Sequence, residues 1–171
     1  VKTQIIGKYN FYNMLAAVAI GDYFEVVDKD INLAIQNYIP KNNRSQIEKT
    51  ERNTLILDAY NANPTSVRSS LESFDAMPHD DKFFILGDMK ELGKDAQRFH
   101  KEIAELTREL ELQGIFIGEE FAKLGESDDA MMVFKSTEAA KTFLQTAQPK
   151  DNLILLKGSR SIGLEQLKNI L

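Results

Sequence analysis

From about residue 50 onward the chain predicts an α/β fold: a mostly parallel sheet of five to six strands flanked by helices. Three observations predict it. Short apolar and β-branched runs, such as Leu55-Ile56-Leu57 and Leu153-Ile154-Leu155-Leu156, alternate with stretches whose apolar residues recur at helical spacing. The runs are continuous rather than alternating, which suits strands covered on both faces. They end in polar residues followed closely by helix starters, so right-handed crossovers bring every strand-to-helix loop to one edge of the sheet.

The first 45 residues follow a different rhythm. Val1-Lys2-Thr3-Gln4-Ile5-Ile6 reads as a short strand. A helix is expected from Asn10 to about Phe24, with Phe11, Met14, Leu15, Val18 and Ala19 at helical spacing. A second runs from Asp28 to Tyr38, with Ile31, Ala34 and Ile35 on one face, until Pro40 and the polar stretch Lys41-Asn42-Asn43-Arg44-Ser45 end it. Two helices cannot bury a core of their own, so this part belongs to a domain with more chain in it. Further on, strands are expected at Thr54–Asp58, Lys82–Leu86, Gly114–Ile117, Met131–Phe134 and Asn152–Leu156. Helices are expected at Pro64–Ala76, Asp95–Leu110, Glu119–Leu124, Ser136–Thr146 and Gly163–Ile170.

Composition narrows the chemistry. The 171 residues carry a net charge of −5 without a basic stripe, which argues against nucleic acid as a partner. No apolar run is long enough to span a bilayer. Cysteine is absent, which removes disulfides, thiolate metal sites and cysteine nucleophiles and fits a cytoplasmic protein. The only histidines are His79 and His100, so a histidine-rich metal site is not expected. His79 reads as solvated and His100 as a surface or packing residue. The chain opens on Val1 rather than methionine and reads as a piece of something longer.

Three loops on the predicted edge are rich in chemistry. Asp58-Ala59-Tyr60-Asn61-Ala62-Asn63-Pro64-Thr65-Ser66 offers an acid, a phenol, two carboxamides and two hydroxyls, where a plain connection needs one or two turn formers. Asp58 alone is as well explained by an N-cap. Gly87-Asp88-Met89-Lys90-Glu91-Leu92-Gly93 supplies a second strand-end acid between two glycines. Lys157-Gly158-Ser159-Arg160 supplies two cations and a hydroxyl at a helix start, a setting that suits a carboxylate or phosphate and equally an ordinary capped loop. Neither G-x-G-x-x-G nor G-x-x-x-x-G-K-[ST] occurs, so the chain does not cradle a dinucleotide or triphosphate by those loops. A receiver-like signalling sheet also uses strand-end acids and a lysine, but the third strand here ends Ile117-Gly118-Glu119 instead of in its aspartate. Asn10 reads as a helix cap; Asn13, inside the first turn, has no such explanation.

Together these residues resemble the Mur ligase family, and within it the members that add D-alanyl-D-alanine to UDP-N-acetylmuramoyl-tripeptide. The pieces that carry the resemblance stand in family order. They are Gly7-Lys8-Tyr9-Asn10-Phe11-Tyr12-Asn13 with Ala16-Ala17, Asn43-Arg44-Ser45-Gln46, the Asp58–Ser66 loop, Leu86 to Gly93 with His100 downstream, and Lys157-Gly158-Ser159-Arg160. Tyr9 departs from the histidine many relatives carry there. The resemblance implies that residues 1–48 are the end of a central ATP-binding domain, mainly helical, and residues 49–171 a C-terminal Rossmann-like domain, with a hinge near the polar stretch Gln46–Asn53. It implies an ATP-dependent amide-forming ligase of cytoplasmic peptidoglycan precursor synthesis, working through an acyl phosphate with magnesium as a monomer. ATP and Mg2+ would be held mainly by the upstream domain, and the phosphate loop, metal ligands and catalytic residues would lie there too, leaving this piece inactive alone. Six residues would bind ATP: Asn10 and Asn13 would approach the adenine, Arg44 and Asp58 the ribose and phosphates, with Asn61 and Asn63 in the same loop as Asp58, near the reaction centre. Asp88, Glu91, Lys157, Ser159 and Arg160 would hold the dipeptide, Ser159 and Arg160 at its carboxylate and Asp88 or Glu91 at its ammonium. The other reading is a non-catalytic α/β module that binds a nucleotide or small molecule.

Overall fold

A computed structural model describes residues 1–7, 10–125 and 131–171. Lys8 and Tyr9, both in the first motif, lie outside the described residues. The described chain forms a six-stranded sheet in the order β1-β2-β6-β3-β4-β5. These strands are β1 (Gln46–Lys49), β2 (Thr54–Asp58), β3 (Lys82–Gly87), β4 (Gln113–Ile117), β5 (Met131–Phe134) and β6 (Leu153–Lys157). All neighbours from β2 to β5 pair parallel, and β1 pairs antiparallel with β2 at the edge. The sheet is therefore mixed and mostly parallel, as the alternation of patterns predicts.

The continuous apolar strands are buried on both faces because successive side chains point to opposite sides. On one side Ile56, Phe84, Leu86 and Phe116 pack under Val67, Leu71 and Phe74 of α3 (Pro64–Asp75) and Ile103 of α4 (Ala96–Glu109). On the other, Leu55, Leu57, Ile85, Ile115 and Ile154 meet Ala140 and Leu144 of α6 (Thr137–Ala147) and Leu164 and Leu167 of a 3₁₀ segment, Leu164–Ile170. Between β4 and β5 lies the short α5 (Glu119–Ala122). The amino-terminal helices are α1 (Asn10–Tyr23) and α2 (Asp28–Asn37).

Three expectations fail locally. Val1–Ile6 forms no strand, because no sheet partner reaches it. The polar stretch Gln46–Asn53, where no strand is expected, contributes β1, whose register pairs Gln46 with Leu57 and Lys49 with Thr54. Residues 164–170 wind as a 3₁₀ helix and not as an α-helix.

Candidate functional site

The parallel strands end together at Asp58, Gly87, Ile117, Phe134 and Lys157, and every chemically rich loop leaves from that edge. Asp58 and Lys157 are register partners on adjacent strands, so their side chains project from the same point of the edge. Lys157 Nζ lies 2.7 Å from Asp58 Oδ2 and also donates to the Asn61 carbonyl at 3.3 Å. The Ser70 hydroxyl donates to the same Oδ2 at 3.2 Å, and the Ser45 amide donates to Oδ1 at 3.1 Å. Both Asp58 and Lys157 are buried. A charge out of water persists only when it is paired and its remaining valences are met, and here three donors from three elements converge on one carboxylate.

That carboxylate also fixes the chain ahead of β1. Because β1 runs antiparallel, its start lies beside the end of β2, which brings Ser45 to Asp58. Asn42, Asn43 and Ser45 all have positive φ, at 59°, 56° and 49°. Asparagine tolerates this conformation; serine is held in it by the bond to Asp58. Arg44 is thereby aimed over the Tyr60 ring, its Cζ 3.8 Å from the ring centroid, and Arg160 approaches the same ring at 5.5 Å. The Tyr60 phenol is held below its usual pKa by hydrogen bonding from Arg44, then by the charges of Arg44 and Arg160.

Above the ion pair opens a cleft of about 650 Å³. Asn10, Asn13, Arg44, Asp58, Asn61 and Asn63, the six residues expected to meet a nucleotide, all line it, with Lys157 at its floor. Met14, Ala17, Ile35, Tyr38 and Pro40 give it an apolar wall. An apolar wall beside a rim of carboxamides and cations suits a flat base at one end and oxyanions at the other. Asn10 is the first residue of α1 and not its cap. Its carboxamide donates to the Ile6 carbonyl at 2.7 Å and the Ser45 hydroxyl at 3.0 Å, and accepts from Asn13 at 3.0 Å. Asn63 caps α3: its side chain accepts from the Ser66 amide at 2.8 Å, while Ser66 Oγ accepts from the Asn63 amide at 3.1 Å, with Pro64 at the first helical position.

The residues expected to hold a dipeptide are divided. Lys157 belongs to the cleft. Asp88 is fully buried: its carboxylate accepts from the Glu120 and Phe121 amides at the start of α5, at 3.1 and 3.2 Å, and from Lys90 Nζ at 3.1 Å. Gly118, at φ 135°, makes room for it; a Cβ there would lie 2.2 Å from the carboxylate carbon. Ser159 is buried as well, its amide donating to the Asp88 carbonyl and its hydroxyl accepting from the Lys90 amide at 2.9 Å. It thus joins the loops after β3 and β6. Glu91, at φ 65°, and Arg160 are the exposed members of the set.

His100 is the residue whose role sequence reasoning underrated. It is fully buried in α4, its Nε2 accepting from the Met89 amide at 3.0 Å and its Nδ1 lying 2.7 Å from the Ala96 carbonyl. Those partners require the neutral ring with the proton on Nδ1. Burial lowers its pKa, outweighing the pull of the nearby Asp88 carboxylate. The signal was in the spacing: His100, Ile103, Ala104 and Thr107 form one buried face of the helix. Among the described residues no group of three or more His, Asp or Glu side chains could hold a metal ion.

Residues 43–160 match the family described as Mur ligase, glutamate ligase domain. The chain is 31% identical over 175 residues to the UDP-N-acetylmuramoyl-tripeptide–D-alanyl-D-alanine ligase of Bacillus subtilis (strain 168), covering 95% of this chain and 38% of that protein. The ligase of the same name from Treponema pallidum (strain Nichols) is 26% identical, with 100% and 39% covered. A crystal structure of MurF from Acinetobacter baumannii superposes with a TM-score of 0.81 at 28% identity, covering 99% of this chain and 38% of that one. MurF from Thermotoga maritima in complex with ADP shares the fold, with a TM-score of 0.80 at 23% identity, covering 97% and 38%. The chain therefore spans less than two fifths of the length of these relatives.

Proposed function

This chain belongs to the Mur ligase family, and we propose that it is the carboxyl-terminal part of an ATP-dependent ligase that joins D-alanyl-D-alanine to UDP-N-acetylmuramoyl-tripeptide in peptidoglycan precursor synthesis. The observation that carries the reading is the single cleft that collects all six nucleotide candidates above the Asp58–Lys157 pair. The likeness to ligases of that name supports the choice of substrates.

In this reading residues 1–48 finish a central ATP-binding domain and residues 49–171 form the C-terminal one. The helical pair supports the division. Neither α1 nor α2 has a buried residue, and Phe11, Tyr12, Leu15, Ile20, Tyr23 and Phe24 are exposed, an apolar face that the rest of a domain would cover. Since β1 starts at Gln46, the hinge is better sought before it than within it.

ATP would supply the phosphoryl group that activates the tripeptide carboxylate as an acyl phosphate; the dipeptide amine would attack the acyl carbon and expel inorganic phosphate, leaving the new amide. The residues of this chain bind and orient. The apolar wall and Asn10 and Asn13 take the base; Arg44 and Lys157 answer the phosphates; Asp58 holds the Lys157 side chain in place. The loops after β3 and β6, joined by Ser159 and Asp88, hold the dipeptide, with Arg160 for its carboxylate and Glu91 for its ammonium. Asp88 does so from within, by fixing the loop. Magnesium is assigned no ligand here. The chain alone is expected to turn over no ATP, since it has no phosphate-cradling loop, and the protein is expected to work in the cytoplasm as a monomer.

The test is calorimetric titration of the full-length protein with ADP. Arg44→Gln should weaken binding about tenfold or more, the scale of one charge-assisted hydrogen bond in a partly enclosed site. An unchanged affinity would remove Arg44 from the nucleotide site and the cleft from the mechanism.

A further inference from the structure

At the mouth of the cleft stands a grouping that the ligase reading leaves without a role of its own. Arg44 precedes β1, Tyr60 follows β2 and Arg160 follows β6, so three loops meet at one point of the carboxyl edge. The Tyr60 ring lies 3.8 Å from one guanidinium carbon and 5.5 Å from the other, both within the range of about 6 Å over which a ring face attracts a cation. The ring is 39% exposed, so filling the core does not explain it. Two guanidiniums repel, and a ring that attracts both offsets that repulsion. Arg44 is not there by the chance of a long side chain: the left-handed backbone at Asn43 and Ser45 brackets it, and Asp58 holds the Ser45 amide.

We propose that Tyr60 is a positioning residue whose ring supports Arg44 and Arg160 together, so that the nucleotide cleft and the acceptor loop are energetically coupled through it. The inference rests on the ligase reading of those two places. An oxyanion neutralising Arg44 relieves the repulsion felt by Arg160 and lets it settle on the ring; by linkage, an oxyanion at Arg160 does the same for Arg44. Binding at either place then favours binding at the other.

The experiment is a thermodynamic cycle on ADP affinity in the full-length protein, using wild type, Arg160→Gln, Tyr60→Leu, Tyr60→Phe, and Arg160→Gln combined with each Tyr60 variant. Arg160 does not line the cleft, and its effect on ADP is expected to pass through the Tyr60 ring that does. Arg160→Gln should change ADP affinity about two- to fivefold wherever the ring is present, in wild type and in the Tyr60→Phe background. It should change nothing in the Tyr60→Leu background. A simple through-space charge effect would be equal with and without the ring, and that result overturns the proposal. So does an Arg160→Gln protein that binds ADP like wild type, or loss of the effect in Tyr60→Phe, which would assign it to the hydroxyl. A wild type that binds no ADP defeats the ligase reading and the proposal with it; ADP binding indifferent to Arg160 defeats the proposal alone.

Discussion

The Asp58–Lys157 pair shows how single residues build this edge. Each was legible in the sequence as a polar residue closing an apolar run, but their union required the strand order, which puts the last strand next to β2. His100 makes the same point from the other side. Its partners demand a neutral ring, and burial lowers its pKa, so the folded protein binds that proton less readily than the unfolded chain. A histidine depressed in this way contributes stability that is whole above its unfolded pKa, about 6.5, and is lost as pH falls through the lower folded value. The thermal midpoint of the wild type should therefore fall more steeply from pH 7 to pH 5 than that of His100→Gln, which lacks the buried ring and shares every other titrating group. Parallel curves would mean the ring is free to protonate in place. Tyr60 was visible only as one more polar residue in a rich loop, because its two cationic neighbours are distant in the chain.

Elements were read best where burial is two-sided. The continuous apolar runs of β2 to β6 and the periodic faces of α3, α4 and α6 leave little freedom, and their expected limits fall within about one to two residues of those found. The unburied α1 and α2 were legible as well, since helix hydrogen bonds are local, but strand prediction failed where no two-sided burial marks the pattern. In β1, Gln46-Ile47-Glu48-Lys49, the lone apolar residue Ile47 points to solvent, so no apolar pattern marks the strand. Val1–Ile6 has strand composition without a neighbour to pair with, and β propensity without a partner decides nothing. The glycine closing β4 shows an element held by backbone freedom. Gly118 has φ 135° and faces the Asp88 carboxylate that caps α5. Gly118→Ala should destabilise the protein by about 1–3 kcal/mol in urea denaturation, as strained backbone positions do, and loosen the loop from Asp88 to Glu91. A stability change under about 0.5 kcal/mol, the scale of an ordinary surface substitution, would show that the loop finds another seat for the carboxylate.

At the scale of the whole molecule, the sheet acts as a rigid plate that delivers five strand ends to one edge, and the loops there divide the labour. One side of the edge, with the helical pair, encloses the cleft; the other carries Glu91 and Arg160 toward solvent. An edge open in this way suits a domain that completes its site by closing on another, and α1 and α2 leave Phe11, Leu15, Ile20 and Leu33 exposed beside it. The motifs made the family resemblance legible, whereas the sharing of Lys157 with the cleft, the inward turn of Asp88 and the support of two arginines by one ring are tertiary facts. The most direct test of the whole account is phosphate release from ATP by the full-length protein with UDP-N-acetylmuramoyl-tripeptide present. Release should depend on D-alanyl-D-alanine and not respond to L-alanyl-L-alanine, and Arg160→Gln should raise the dipeptide KM while leaving that of ATP within about fivefold. Release that ignores the dipeptide, or that L-alanyl-L-alanine supports equally well, would contradict it.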